Sequence, residues 1–437
     1  MIRRVPSIHP PAVRDTLPPT TGVTYDTAFW LSYVANLAIM TGHSLLFRYA
    51  DVVFFFGGGE LLLGWIVGIG MVGSLVMRVA QGVGIDRYGP RKMWLLSSLL
   101  FIVSCLGHLF VTQAEGPLIF LLRIGYNCSI AGFFGASITF ISARAPRARM
   151  AEVVGMLGTS GFLAMVLGTA LGDALLGGAP MTLYGLRLMF VLAAALGGVN
   201  MLLCALATRR ESFQPRSRHV SPFGLMRRYH PGAVLLASAA TGFGLSLPGT
   251  FLRPYAESIG IPGIALFFAV YCPTAFCSRF LARGLPARIG NRRVLYLGLT
   301  AMVAGMLLFT VATNQWLLCL PAAFLGVAHA LLFPSVIAAG TAPFPMRYRG
   351  LATTLVLAMF DLGTFVGSPI AGAILSYSFL VDLPPFPTMF VSVAGMIGAC
   401  AIAYALSRPR VALPDTRSGI TVLGPPAGQA AGRTISR

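Results

Sequence analysis

Residues 78–92 read R-V-A-Q-G-V-G-I-D-R-Y-G-P-R-K, and residues 279–293 read R-F-L-A-R-G-L-P-A-R-I-G-N-R-R. The second stretch repeats the first at an offset of 201. Arg78 aligns with Arg279, Arg87 with Arg288, Gly89 with Gly290, and Arg91/Lys92 with Arg292/Arg293. Each stretch is a basic turn between two long apolar runs, and the glycine permits a tight reversal. Further out, F-R-Y-A-D (47–51) is echoed by L-R-P-Y-A-E (252–257). Two halves repeated in the same orientation put a binding site between them, near mid-depth.

Twelve apolar runs carry these motifs: 27–47, 62–82, 92–112, 117–141, 150–174, 187–208, 232–252, 262–282, 293–312, 315–340, 350–375 and 386–407. Each is close to the ~20 residues that cross a bilayer. The composition agrees. Of 437 residues, 56% are hydrophobic and only 10% charged, too few charges to cover a water-soluble protein of this size. A soluble enzyme, a disordered chain and a secreted disulfide scaffold are thereby excluded. The expected fold is all-α integral membrane, with twelve transmembrane helices as two six-helix bundles. The expected organisation is an N-terminal segment at 1–26, a first bundle at 27–208, a central loop at 209–231, a second bundle at 232–408 and a flexible tail at 409–437.

The net charge of +19 comes from 32 basic residues, of which only Lys92 is a lysine. With the N-terminus inside, only Arg48, Arg187 and Arg253 fall outside, and Arg78, Arg123 and Arg279 fall within helices. This asymmetry places both termini in the cytoplasm of a multi-pass protein of the cell membrane. The basic excess then reads as topology and contact with anionic lipid. No long basic segment carries interleaved aromatics, so nucleic acid is not an expected partner. The seven cysteines all fall in apolar runs, so neither disulfides nor a metal site is expected. Residues 1–25 lack an apolar core, so no cleaved signal peptide is expected.

The run Gly82-x-x-x-Asp86-Arg87-x-Gly89-x-Arg91-Lys92 resembles the cytoplasmic loop signature of the major facilitator superfamily, and the resemblance extends over nearly the whole chain. It implies a transporter in which this loop biases inward-open against outward-open states. Asp86 can bond backbone N–H groups or an arginine at another helix end. The second copy departs from the signature: Ala287 stands opposite Asp86, and Arg283 opposite Gly82. The second loop keeps its basic charge but lacks the carboxylate, so any loop-to-helix latch is expected to be asymmetric between the halves.

Asp361 lies in run eleven, in A-M-F-D-L-G-T, about twelve residues and so ~18 Å from the inner end. Unpaired at that depth, it is suited to take and release a proton. The rival is a packing aspartate bonded to a neighbouring helix. The block 324–369 resembles the sugar- and drug-efflux branches of the family, where Arg-Gly opens the eleventh helix and an acid follows. Arg123, in L-L-R-I-G-Y-N, resembles the arginine of the fourth helix that is associated with proton coupling in exporters; the bland alternative is snorkelling to the outer face. His329 lies near mid-depth of run ten and is the third candidate for proton exchange.

The Gly-rich run 155–173 resembles the fifth helix of antiporters, with Thr169 where a proline is usual; its glycines are expected to allow close packing. Asn36 and His43, seven apart, share one helix face and are cavity candidates together with Tyr126 and Asn127. Tyr271 and Phe360 are candidates for an aromatic wall. Arg48/Asp51 and Arg253/Glu257 recur at the outer ends of both halves, as outer-gate ion pairs or as solvated charges.

Metalloprotease, hydrolase and phosphate-loop motifs are absent, so an enzyme is not expected and no cofactor is implied. The expected function is secondary transport of a small organic molecule by a monomer using alternating access. Proton-coupled efflux of a neutral, cationic or amphipathic substrate stands first. Uptake of a sugar or organic anion by the same fold is the alternative, and an anion would give Arg123 a binding role.

Overall fold

The computed structural model describes residues 25–146, 149–177, 181–211, 229–345 and 348–407, and among these the regular structure is entirely helical. Most of the central loop, Arg147, Arg347, the first 24 residues and the tail lie outside the described residues.

The first half begins with α1 (Thr27–Leu45), which continues through a 3-10 turn, Leu46–Arg48, into a short helix, Tyr49–Phe55. The helical run Glu60–Gly107, kinked at Gly89 and continued by a 3-10 turn to Phe110, then holds two spans, α2 (Glu60–Gln81) and α3 (Gly84–Phe110). α4 (Pro117–Arg144), α5 (Met150–Leu176) and α6 (Leu183–Ala207) complete the half. The second half repeats the plan with α7 (Val234–Ser258), α8 (Ala265–Leu281), α9 (Asn291–Leu308), α10 (Cys319–Thr341), α11 (Arg349–Leu380) and α12 (Pro385–Leu406).

Eleven of these helices are long and apolar enough to span a bilayer. α1 falls short because Ser32, Asn36, Thr41, His43 and Ser44 lower its hydropathy. Most of its polar groups are accounted for inside the protein, the Ser44 hydroxyl being buried without a partner among the described residues. Ser32 and Thr41 donate to carbonyls one turn back, and Asn36 donates to Ser160 Oγ of α5 at 2.5 Å. A span can carry such residues when neighbouring helices satisfy them.

The repeated motif has one backbone geometry in both halves. Gly89 sits at φ 85°, ψ 159° and Gly290 at φ 84°, ψ 145°. Side chains other than hydrogen are excluded from that region, so glycine turns the chain in the first residues of α3, just past α2, and again between α8 and α9. The two turns lie on one face of the bundle, here the Gly89 face. The opposite end, with Tyr49–Phe55 and the start of α8, is the Asp51 face. Both described ends of the chain, Tyr25 and Ser407, lie on the Gly89 face.

The halves meet along two seams, α2 with α11 and α5 with α8. On the first seam the backbones nearly touch. A Cβ at Gly64 would lie 2.5 Å from the Ser368 carbonyl oxygen, and one at Gly372 would lie 2.6 Å from that of Glu60. Small residues permit this approach where no water is present to drive association.

Candidate functional site

On the Asp51 face, charged side chains from both halves converge in a buried network. The turn after α1 delivers Arg48 and Asp51; the end of α7 delivers Arg253. Asp51 accepts from Arg48 Nε and from Arg253 Nε, the latter at 3.0 Å. Arg48 Nη1 donates to Asp173 Oδ1 of α5 at 2.9 Å. Asp173 Oδ2 in turn accepts the backbone N–H groups of Ile264 and Ala265, each at 2.6 Å, where α8 begins. A carboxylate there satisfies orphan donors and meets the positive end of the helix. Arg48 and Asp51 are fully buried and Arg253 nearly so. Two arginines and two aspartates thus balance inside the protein, which is the condition for keeping such charges out of water.

This geometry refines the two expected outer pairs. Arg48, Asp51 and Arg253 are not solvated charges; they bridge the halves. Glu257 stands apart at the rim, with 59% of its side chain exposed, 3.4 Å from Arg253 Nη2. Asp173, which completes the network, was visible in the sequence only as the last residue of the glycine-rich run. An acid at the far end of an apolar run was the available signal.

Further in, the α2–α11 seam carries a second bridge. Arg78 Nε meets Asp361 Oδ2 at 2.7 Å, and Ser74 Oγ donates to the same oxygen at 2.5 Å. Asp361 is therefore not the unpaired carboxylate that its depth implied. Depth could be counted along the helix, but the face it presents to α2 could not. Ser74 and Arg78 lie four apart, one above the other on α2, so one acid meets both.

Between the seams lies a belt of rings. In the first half, His43 Nδ1 and the Tyr126 hydroxyl share a hydrogen bond of 2.6 Å; in the second, the Tyr271 hydroxyl and His329 Nδ1 share one of the same length. Phe47 of the first half packs on Phe268 of the second at 5.1 Å between centroids, and Phe162 on His329 at 5.4 Å. Phe360 packs on Phe333 at 6.3 Å. Asn36 and His43, expected on one cavity-facing stripe, serve different neighbours, Asn36 on α5 and His43 on α4.

Arg123 does not snorkel. It is 9% exposed, and its guanidinium lies over the rings of Tyr49 at 4.3 Å and Tyr126 at 4.8 Å. Its Nε and Nη1 have no hydrogen-bond acceptor among the described residues, nor does Asn127 Nδ2, one turn away on α4. Arg279 of α8 lies over Phe162 at 5.2 Å, and its Nε is likewise without an acceptor.

On the Gly89 face, Asp86, Arg87, Lys92, Arg288 and Arg293 are exposed, and Asp86 has no ion pair among the described residues. Among the described residues Asp86 does not make the expected bond to another helix end. Gly82 belongs to the helical run, and the turn itself is Gly89. Arg91 Nη1 donates to the Thr208 carbonyl at the end of α6, at 3.3 Å. Arg292 Nη2 donates to the carbonyls of Tyr404, Ala405 and Ser407 at the end of α12, at 3.3, 2.8 and 2.6 Å. The glycines of α5 divide. Gly168 and Gly172 pack on α1, but a Cβ at Gly155, Gly158 or Gly161 would meet nothing within 4 Å. Close packing, expected along the whole stripe, holds only for the half nearer the Asp51 face.

Comparison with known proteins follows the same outline. The chain is 24% identical over 405 residues to the uncharacterized MFS-type transporter YhhS of Escherichia coli K12, covering 91% of this chain and 94% of that protein. The YhhS protein of Salmonella typhi is equally similar, 24% over 411 residues with the same coverage. Among solved structures, the D-xylose-proton symporter superposes with a TM-score of 0.71 at 16% identity, covering 86% of this chain and 96% of that one. The nucleoside transporter NupG gives 0.70 at 13%, covering 87% and 98%. The sequence profile of the Major Facilitator Superfamily matches residues 22–285 and 234–429. The chain thus belongs to the Major Facilitator Superfamily, whose members are membrane transporters and not enzymes.

Proposed function

We propose that the protein is a secondary active transporter that carries a small organic molecule across the cell membrane by alternating access, with protons as the coupling ion. The observation that carries the proposal is the Arg253–Asp51–Arg48–Asp173 network, which ties the halves together on one face. On the other face the glycine edge of α5 is open: a Cβ at Gly155, Gly158 or Gly161 would meet nothing within 4 Å among the described residues. Rocking the halves about the ring belt breaks the first closure and covers the second edge.

The basic residues give the orientation. Arg87, Arg91, Lys92, Arg144, Arg149, Arg288, Arg292 and Arg293 belong to the Gly89 face, against Arg48, Arg187 and Arg253 near the other. By the positive-inside rule the Gly89 face and both termini are cytoplasmic, and this arrangement is closed to the outside. Each chain carries both halves, so a monomer suffices.

Asp361 supports proton coupling through its partners. When the α2–α11 seam opens, the carboxylate loses Arg78 and Ser74. A lone buried charge is costly, and proton uptake removes it. Net efflux is the proposed direction, on the resemblance of residues 324–369 to the efflux branches. A second reading, uptake of a sugar or organic anion, is favoured by one observation: the unpartnered nitrogens of Arg123.

The test is purified protein in liposomes with a pH-sensitive dye inside, presented with sugars, organic cations and carboxylates under a pH gradient of either sign. Substrate-dependent proton movement in the wild type, lost in Asp361→Asn, supports the proposal. Substrate movement without proton movement overturns the coupling, and the gradient that drives net flux gives the direction.

A further inference from the structure

Three buried nitrogens on one face of α4 have hydrogens to give and, among the described residues, nothing to receive them: Arg123 Nε, Arg123 Nη1 and Asn127 Nδ2. They are neighbours. A Cβ at Gly70 of α2 would lie 2.6 Å from Arg123 Cγ and 2.6 Å from Asn127 Nδ2, so those two atoms are at most about 5 Å apart. Buried polar groups in folded proteins are nearly always paired, and each exception calls for an explanation. Here the orphans are all donors, and one belongs to a permanent cation. An ionised carboxylate is acceptor-only, with two oxygens and about four lone-pair sites, and it matches a guanidinium edge. The buried acids are engaged elsewhere: Asp51 and Asp173 in the closed face, and Asp361 by Arg78 and Ser74.

The surroundings fit the rest of such a ligand. Arg123 lies beneath the closed face, about two turns into α4. Tyr126, under its guanidinium, bonds His43, and His43 is only half-buried at the centre. From there rings run without a gap: His43 on Phe47, Phe47 on Phe268, Phe268 on Tyr271. Arg279, the second guanidinium with an unpartnered Nε, lies near the other end of α8, on the cytoplasmic side in the orientation proposed above. It gives the approach from that side a positive potential.

We infer that the transported molecule is an organic carboxylate with a planar apolar body, its carboxylate held by Arg123 and Asn127 and its body laid along the His43–Phe47–Phe268 rings. This deepens the transporter reading and rests on it for the word transported; the binding site itself stands on the donors alone.

The test uses the full-length protein in detergent and matched probe pairs: benzoate with benzamide, nicotinate with nicotinamide, and indole-3-acetate with indole-3-acetamide. Binding is read as a rise in melting temperature with probe concentration. Carboxylates are expected to bind and their carboxamides not to. Arg123→Gln is expected to weaken the carboxylate by roughly tenfold or more, Asn127→Ala by about fivefold, and Arg123→Lys to retain part of the affinity. Asn127→Ala removes no charge, so it remains informative if Arg123→Gln fails to fold. Equal binding of acid and amide, undiminished binding in Asn127→Ala and Arg123→Gln, or no binding by any carboxylate overturns the inference. The two readings fail separately. Transport of a neutral or cationic compound, undisturbed in Arg123→Gln, keeps the transporter and removes the anion site. Carboxylate binding that depends on Arg123, without carboxylate flux in liposomes, keeps the site and removes the transporter.

Discussion

Arg91 and Arg292, 201 positions apart, each close the last helix of their own half. Arg91 holds one carbonyl at the end of α6, and Arg292 holds three at the end of α12. The last carbonyls of a helix have no partner within it and carry partial negative charge, so an arginine satisfies and stabilises them. The unequal bonding sets an order. Arg292→Ala is expected to cost about 1–2 kcal/mol and Arg91→Ala about 0.5–1 kcal/mol. Thermal unfolding of the two variants in one detergent checks this; an equal or reversed order removes the assigned role.

The turns beside those arginines make a prediction of opposite sign at two kinds of glycine. Gly89 and Gly290 share a backbone conformation at φ 85° and 84° that a Cβ disfavours. Gly89→Ala and Gly290→Ala are each expected to destabilise by about 1–3 kcal/mol. Gly155 has ordinary helical geometry and open space around it. Gly155→Ala is expected to stabilise by about 0.5–1 kcal/mol. Melting temperatures should fall for the first two and rise for the third.

These contrasts mark what a single sequence carries. The repeat, the twelve spans and the Gly89 and Gly290 turns were legible because they rest on length, spacing and local backbone chemistry. Position along a helix was legible too: Asp361, His329 and Arg123 can be counted from the helix ends. What was not legible is rotation. Asp361 turns to Ser74 and Arg78, His43 to Tyr126, and Asn36 to Ser160. Each of those pairings joins residues 83 to 287 positions apart, and the angle at which two apolar helices meet leaves no periodic trace when nearly every position is apolar. Asp173 was overlooked for the same reason. Asp173 and its partners, Arg48 and the start of α8, come from three separate parts of the chain.

The Arg78–Asp361 pair gives a cycle of substitutions. Both side chains are mostly buried, at 13% and 8% exposure. Removing one partner strands the other, at about 3 kcal/mol in comparable buried pairs. Asp361→Asn and Arg78→Gln are each expected to lower the melting temperature substantially. The double variant is expected to lie well above the sum of the two losses, because nothing remains stranded. Additive losses would mean that the two charges do not stabilise one another.

The network on the Asp51 face predicts a change of state. Asp51 is the acceptor shared by Arg48 and Arg253, one from each half. Asp51→Asn leaves two buried guanidinium groups facing a neutral amide. A loss of ~3 kcal/mol from the closed arrangement corresponds to a fall of about two orders of magnitude in the ratio of closed to open forms. Gly249 reads this out: a Cβ there lies 3.4 Å from the Phe47 ring, at the contact between halves that must part when this face opens. With Gly249→Cys in a background whose seven native thiols are replaced, a membrane-impermeant maleimide added from the Asp51 side should label slowly. Adding Asp51→Asn should speed labelling severalfold or more, and Asp173→Asn should act in the same direction through Arg48. An unchanged rate in both would mean that the ring contacts, and not the charges, hold this face closed.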